Sequence, residues 1–271
     1  MRRHRYQFDL ANLLSLFRPL YPECVLCRRR RKPTEDGTCC FVCADKVPYI
    51  KRVVCAHCGR ADFCHDCDRL LADHRNPPAL AFHRSAARYD SFLKFVIAQY
   101  KYRGHERLRN LLKDILKHGF ELLQNQLAVQ EDRYTETFDM ITFVPISGPR
   151  AHERGFNQAE QLAEELSEVT GLPVMSLLRR EKHAPKQSQQ TRIGRLKVSH
   201  QVFAFDEEVW AKMVSEQQEN NQVARMLTLD RPLRIIIVDD VYTTGTTLEA
   251  CAGVLKTRLG SHVYGLTLAR A

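Results

Sequence analysis

Read for the spacing of apolar and polar positions, the chain changes character twice. From Ala79 to Leu123 the apolar residues recur at helical intervals, at Leu93, Val96, Ile97 and Tyr100 and again at Leu108, Leu111, Leu112 and Ile115. That spacing predicts a mainly helical stretch. Beyond it the period alternates. Ile141 to Ile146 is a short β-branched apolar run, Asn157 to Val169 is rich in Ala, Leu and Glu, and Leu233 to Val238 is a second buried run. Thr246 to Leu259 then reads as a helix and His262 to Leu268 as a closing strand. Strands alternating with helices predict an α/β fold, a parallel sheet with flanking helices. Two stretches do not fit a sheet. Glu181 to Lys197 is polar and basic with few apolar anchors, as a hood or mobile loop would be, and Glu207 to Leu229 reads as a solvated helix and loop.

Before about residue 75 no such period exists. Residues 1–22 carry Arg2, Arg3 and Arg5 ahead of Leu13, Leu14, Leu16 and Phe17, which imitates a secretion signal. Asp9 and Asn12 break the apolar part and no small-x-small site follows, so the expectation is an amphipathic helix docked on the body. No apolar run approaches bilayer length, and a cytoplasmic protein without membrane insertion is expected. The resulting division is residues 1–22, a cysteine-rich module at 23–75, and a larger domain at 76–271.

The module holds nine of the ten cysteines. Eight form C-x-x-C pairs: Cys24/Cys27, Cys40/Cys43, Cys55/Cys58 and Cys64/Cys67. Each pair presents two thiolates from one turn, and two such knuckles complete a tetrahedral zinc site, so one or two structural Zn2+ ions are expected. Sequential pairing is the simplest arrangement and a crossed one stays open. Cys39, His57, His65 and His74 are reserve ligands. A four-thiolate site leaves no position for substrate, so the module is a folding and binding platform.

Charge adds one further feature. Lys and Arg number 41 against 32 Asp and Glu, a net +9, which favours a polyanionic partner. Arg28, Arg29, Arg30, Arg31 and Lys32 form a run between the first two knuckles, suited to phosphate contacts, and Tyr49 and Phe63 are candidates for base stacking. The competing reading is a solvated basic loop.

The most informative stretch is Ile235-Ile236-Ile237-Val238-Asp239-Asp240-Val241-Tyr242-Thr243-Thr244-Gly245-Thr246-Thr247. A buried strand ends in two carboxylates, a hydroxyl-rich turn follows, and a helix begins. A helix N-terminus at that sheet edge binds phosphate. Gly245 allows close backbone approach and Thr243, Thr244, Thr246 and Thr247 add hydroxyls. Asp239 and Asp240 would repel phosphate but accept hydrogen bonds from a ribose diol. Simple helix capping explains one Thr or Asp, not the whole order.

This stretch resembles the phosphoribosyl-pyrophosphate loop of type I phosphoribosyltransferases. With the knuckles, Lys101-Tyr102-Arg103-Gly104, Arg154-Gly155-Phe156-Asn157-Gln158-Ala159 and a basic hood containing Gln187 and Arg195, the chain resembles the ComF (ComFC) late-competence family over nearly its whole length. Val198 departs from that family, which usually has Asn three residues after the hood arginine. The resemblance implies a type I phosphoribosyltransferase fold with a hood near 181–205, preceded by a small zinc-ribbon module. It implies that Pro145 to Pro149 forms a pyrophosphate loop, that Arg150, Arg154 and Lys101 meet anionic ligand groups, and that Mg2+ accompanies phosphoribosyl pyrophosphate.

Three functions follow from the resemblance. One is a competence protein that handles incoming single-stranded DNA beside a DNA-uptake helicase. Another is an active phosphoribosyltransferase, with Asp239 and Asp240 at the reacting sugar. The third is a sensor of phosphoribosyl pyrophosphate or a related nucleotide without turnover. No residue identifies an acceptor. Salt-dependent DNA binding, pyrophosphate release and saturable binding without turnover distinguish them.

Overall fold

The structure, a computed structural model, describes residues 23–31, 39–75, 77–103, 108–131, 137–146, 155–181, 202–215 and 230–271, with the side chains of residues 101–103 and 131 outside that set. The expected helix at 1–22 and hood residues 182–201 therefore lie outside the described residues. The chain forms two compact units, Met1–Lys46 and Val47–Ala271.

In the first unit, a turn closed by Cys24 N–H to the Arg29 carbonyl (2.8 Å) and Arg28 N–H to the Cys24 carbonyl (2.9 Å) carries Cys24 and Cys27. A one-turn helix, α1 (Phe41–Ala44), starts directly after Cys40 and carries Cys43.

The second unit is built on a four-stranded parallel sheet. Its strands are β1 (Leu80–Arg88), β2 (Met140–Phe143), β5 (Arg234–Tyr242) and β6 (His262–Arg270), in the order β1-β6-β5-β2. Ile235 to Val238 are fully buried, as a central strand covered on both faces requires. The connections are α2 (His65–Ala72) before the sheet, α3 (Ser91–Arg103) and α4 (Arg109–Glu131) between β1 and β2, and α5 (Gln158–Thr170) after β2. A two-stranded antiparallel ribbon, β3 (Leu178–Arg180) with β4 (Phe203–Phe205), ties together the two ends of the expected hood. Helix α6 (Glu207–Ser215) follows, and α7 (Thr246–Leu259) links β5 to β6.

One expectation is corrected. The stretch from Ala79 is not helical at its start, because Leu80–Arg88 is strand β1, paired along its length with β6. Its alanines favour a helix locally, but Phe82 to Ala87 are buried between layers, and tertiary pairing overrides propensity. Those alanines are used in packing. A Cβ on Gly119 of α4 would stand 3.1 Å from the Ala86 Cβ and 2.9 Å from Leu266 Cδ1, so helix and sheet meet where both side chains are small.

At the opposite edge, Arg231 donates two 2.8 Å hydrogen bonds to the Asp139 carboxylate, which also accepts the Arg234 N–H at 2.7 Å. This clamp fixes β2 against β5 at the ends remote from Asp239.

Candidate phosphate loop and cysteine centres

Strand β5 runs two residues beyond the acidic pair, so Asp239 and Asp240 stand within its pairing with β6 rather than after it. Both are half-buried, and the Asp240 N–H donates to Asp239 Oδ1 at 2.8 Å. Thr243 and Thr244 turn the chain, and Gly245 occupies the left-handed region at φ 79° as the residue that starts α7. Its carbonyl accepts the first helical hydrogen bond, from Glu249 N–H at 2.9 Å. The N–H groups of the opening turn lack partners within the helix and carry the positive end of its dipole. The Thr244 and Thr246 hydroxyls lie 2.9 Å apart.

Asp239, Val241, Thr243, Gly245, Thr246 and Thr247 are among the residues that line an open hollow of about 220 Å³. Asp240, one residue along a strand whose side chains alternate, is not part of that lining. Thr244 is exposed and is not part of that lining either. Beneath the loop, burial and then the Asp239 carboxylate push the Cys251 thiol well up, so it is a protonated packing group. The Glu249 carboxylate is directed away from the hollow, accepting from the Ala79 and Leu80 N–H groups that start β1.

Arg150 and Arg154 lie outside the described residues, as does the Lys101 side chain. Of the expected pyrophosphate loop, only 145 and 146 are described. The neighbouring motif is ordered around Asn157, which accepts from Ala159 N–H at 3.1 Å and donates to the Val144 carbonyl at 3.2 Å. One side chain thus caps α5 and secures it to the chain leaving β2.

The cysteines gather in sequence order, Cys24, Cys27, Cys40 and Cys43 in one cluster and Cys55, Cys58, Cys64 and Cys67 in the other. Within each, all four sulfurs lie within 4.8 Å of one another. A zinc tetrahedron with Zn–S near 2.3 Å has edges of about 3.8 Å, and Cys27 and Cys40 are 3.6 Å apart. Both clusters are compatible with zinc. Burial and then neighbouring sulfurs raise the Cys43 and Cys67 thiols, so four thiolates coexist only around a cation. Burial also opposes ionisation of Cys24, but the N–H groups of Cys27, Cys40 and Leu26 outweigh it and lower the thiol to about 6.

The knuckles share one backbone device. The residue after each first pair is left-handed, Arg28 at φ 61° and Gly59 at φ 70°. Glycine adopts this freely, whereas the arginine costs about 1 kcal/mol that metal binding offsets. Cys39, His57, His65 and His74 join neither cluster. The His57 ring instead meets the Ala81 carbonyl at 3.2 Å.

Arg28, Arg29 and Arg30 are exposed, Arg31 is half-buried, and Lys32 is outside the described residues. Of the two aromatic candidates, Phe63 is exposed, whereas Tyr49 is edge-packed on His118 at 4.9 Å between ring centres and is part of the body.

Sequence reading missed the groups that surround the second cluster. Arg84, buried in β1, donates to the His83 carbonyl (2.6 Å), the Ala56 carbonyl (2.9 Å) and Gln126. Arg270 of β6 donates to the Cys58 carbonyl at 2.7 Å. The signal available was a His-Arg pair inside an otherwise small and apolar strand.

Two curated proteins are similar to this chain over most of its length. The competence protein ComFC of Bacillus subtilis (strain 168) is 28% identical over 241 residues, 87% of this chain and 85% of that protein. This chain is a relative of the ComFC competence proteins. The ComFC of Streptococcus pneumoniae is 23% identical over 263 residues, spanning 92% of this chain and all of that one. No family model matches. Among solved structures, an adenine phosphoribosyltransferase aligns with 58% of this chain and 71% of its own at 14% identity and a TM-score of 0.30. The Saccharomyces cerevisiae adenine phosphoribosyltransferase, complexed with an imino-altritol bisphosphate and adenine, aligns with 58% and 69% at 14% identity and 0.29. Likeness at that level is too loose to support a function. No helix among the described residues is long and apolar enough to cross a membrane.

Proposed function

We propose that this ComFC relative acts in the cytoplasm during DNA uptake, binding phosphoribosyl pyrophosphate with Mg2+ at the end of β5 and single-stranded DNA through its basic knuckle loop. The observation that carries the reading is the order Asp239, Thr243, Gly245, α7 around one hollow. It offers a carboxylate to a ribose diol and a helix N-terminus to the 5-phosphate. Asp240, Thr244, Arg150, Arg154 and Lys101 complete the proposed set, the three cations meeting the diphosphate. Magnesium keeps much of its water and takes oxygens from the ligand, so it needs few protein groups. The first cysteine centre holds the knuckles between which Arg28 to Lys32 are presented. A DNA-uptake helicase is the proposed protein partner.

The test is the double variant Asp239→Ala/Asp240→Ala, checked for zinc content. Loss of phosphoribosyl-pyrophosphate binding with both zinc ions retained is expected. Unchanged affinity would overturn the assignment of the sugar site. Pyrophosphate release on adding a base or amine would make the protein a transferase; saturable binding without release would make it a binder.

A further inference from the structure

Tyr242 sits between the second cysteine cluster and the candidate phosphate loop, and it touches both. On one side it packs against the group formed by Cys58, Cys64 and Cys67. Its ring is stacked on His83, with centres 4.0 Å apart and planes 20° from parallel, and the Arg270 guanidinium lies over it at 4.8 Å. Arg270 in turn donates to the Cys58 carbonyl at 2.7 Å, and His83 Nδ1 approaches the same carbonyl at 3.4 Å. On the other side, a Cβ on Gly245 would stand 2.8 Å from Tyr242 Cζ and 3.1 Å from Cε2. The ring is therefore the floor on which the left-handed turn rests. His83 is itself fixed by Thr267, at 3.1 Å from Nε2. A four-thiolate zinc centre carries a net charge of −2, and Arg84 and Arg270 bring two positive charges to its edge. Loss of the metal would release the four sulfurs from one another and free the Cys58 carbonyl, on which Arg270 and His83 converge, to move.

We propose that the second cysteine centre and the phosphate loop are energetically coupled, with Tyr242 as the positioning residue that transmits the state of the metal to Gly245. The ligand half of this rests on the proposed sugar-phosphate site; the metal half does not. Coupling of this kind is reciprocal: whatever zinc contributes to ligand affinity, the ligand contributes to zinc retention. The cluster of Cys24, Cys27, Cys40 and Cys43 serves as the internal reference for the test.

The experiment follows zinc release from the full zinc-loaded chain to a chromogenic chelator, with the two phases assigned by Cys24→Ser and Cys58→Ser. Saturating phosphoribosyl pyrophosphate with Mg2+ should slow the second-centre phase by about fivefold or more and leave the other unchanged. Tyr242→Leu, which retains all eight ligands, should remove that slowing. A second-centre phase indifferent to bound ligand, or slowed equally in Tyr242→Leu, would overturn the proposal. If the wild type binds no sugar phosphate, the functional reading fails, and hydrogen exchange at residues 243–248 decides the coupling alone. Zinc-loaded Tyr242→Leu should then exchange about tenfold faster there than the wild type, with Arg270→Gln substituting should the leucine variant not fold. Unchanged protection would sink the idea.

Discussion

Replacing Gly245 by alanine isolates what the loop conformation costs. The residue lies at φ 79°, where an L-residue loses about 1–2 kcal/mol. The added methyl would also stand 2.8 Å and 3.1 Å from two ring carbons of Tyr242, a ring held by stacking on His83 at 4.0 Å and by the Arg270 guanidinium at 4.8 Å. Overpacking of that kind costs roughly 1–3 kcal/mol, so the total is about 2–5 kcal/mol. Gly260 supplies the control. It has a similar φ of 61° at the other end of α7, and its added methyl would meet nothing within 4 Å, leaving the conformational cost alone. If the loop holds its shape in Gly245→Ala, the cost appears as lost stability, read by denaturant titration. If the loop yields, it appears as lost affinity for phosphoribosyl pyrophosphate, at about 1.4 kcal/mol per tenfold. The two losses together should exceed that of Gly260→Ala by at least about 1 kcal/mol. Equal losses in the two variants would refute the clamped-ring argument.

Other outcomes follow from the same geometry. Gly119→Val should destabilise the second unit by about 1–3 kcal/mol through contact with Ala86 and Leu266, seen as a lower denaturation midpoint. Arg84→Met should accelerate zinc loss from the second centre and not the first, because it strips the Ala56 carbonyl of its donor; equal effects on both would contradict the assignment. Replacing Arg28 to Lys32 by serine should weaken single-stranded DNA binding and flatten its salt dependence by about 0.7 in log–log slope for each phosphate no longer neutralised; an unaltered slope would exclude that loop.

How much of this was readable beforehand varies with the range of the cause. The β5–α7 unit was legible because its signals are local: a four-residue buried run and a helix whose bounds, Thr246 to Leu259, coincide with those read from sequence. Cysteine clustering was legible for the same reason, since each knuckle is a four-residue turn, and proximity in sequence favours sequential pairing. Strand β1 was not legible, because its three alanines carry helical propensity and only burial against α4 and β6 makes it a strand. The surroundings of the second cluster were not legible either. Arg270 reaches the Cys58 carbonyl across 212 residues of chain, a contact set by sheet order and by no local pattern. The same limit applied to Tyr242, which in sequence is one more residue between the acidic pair and the threonines.

The most direct test of the sugar-phosphate reading is isothermal titration of the zinc-loaded chain with phosphoribosyl pyrophosphate and Mg2+. Saturable binding at one site per chain, abolished in Asp239→Ala/Asp240→Ala, is the expected result. A flat titration of a protein that retains its zinc would contradict it and leave the loop as a scaffold without its ligand.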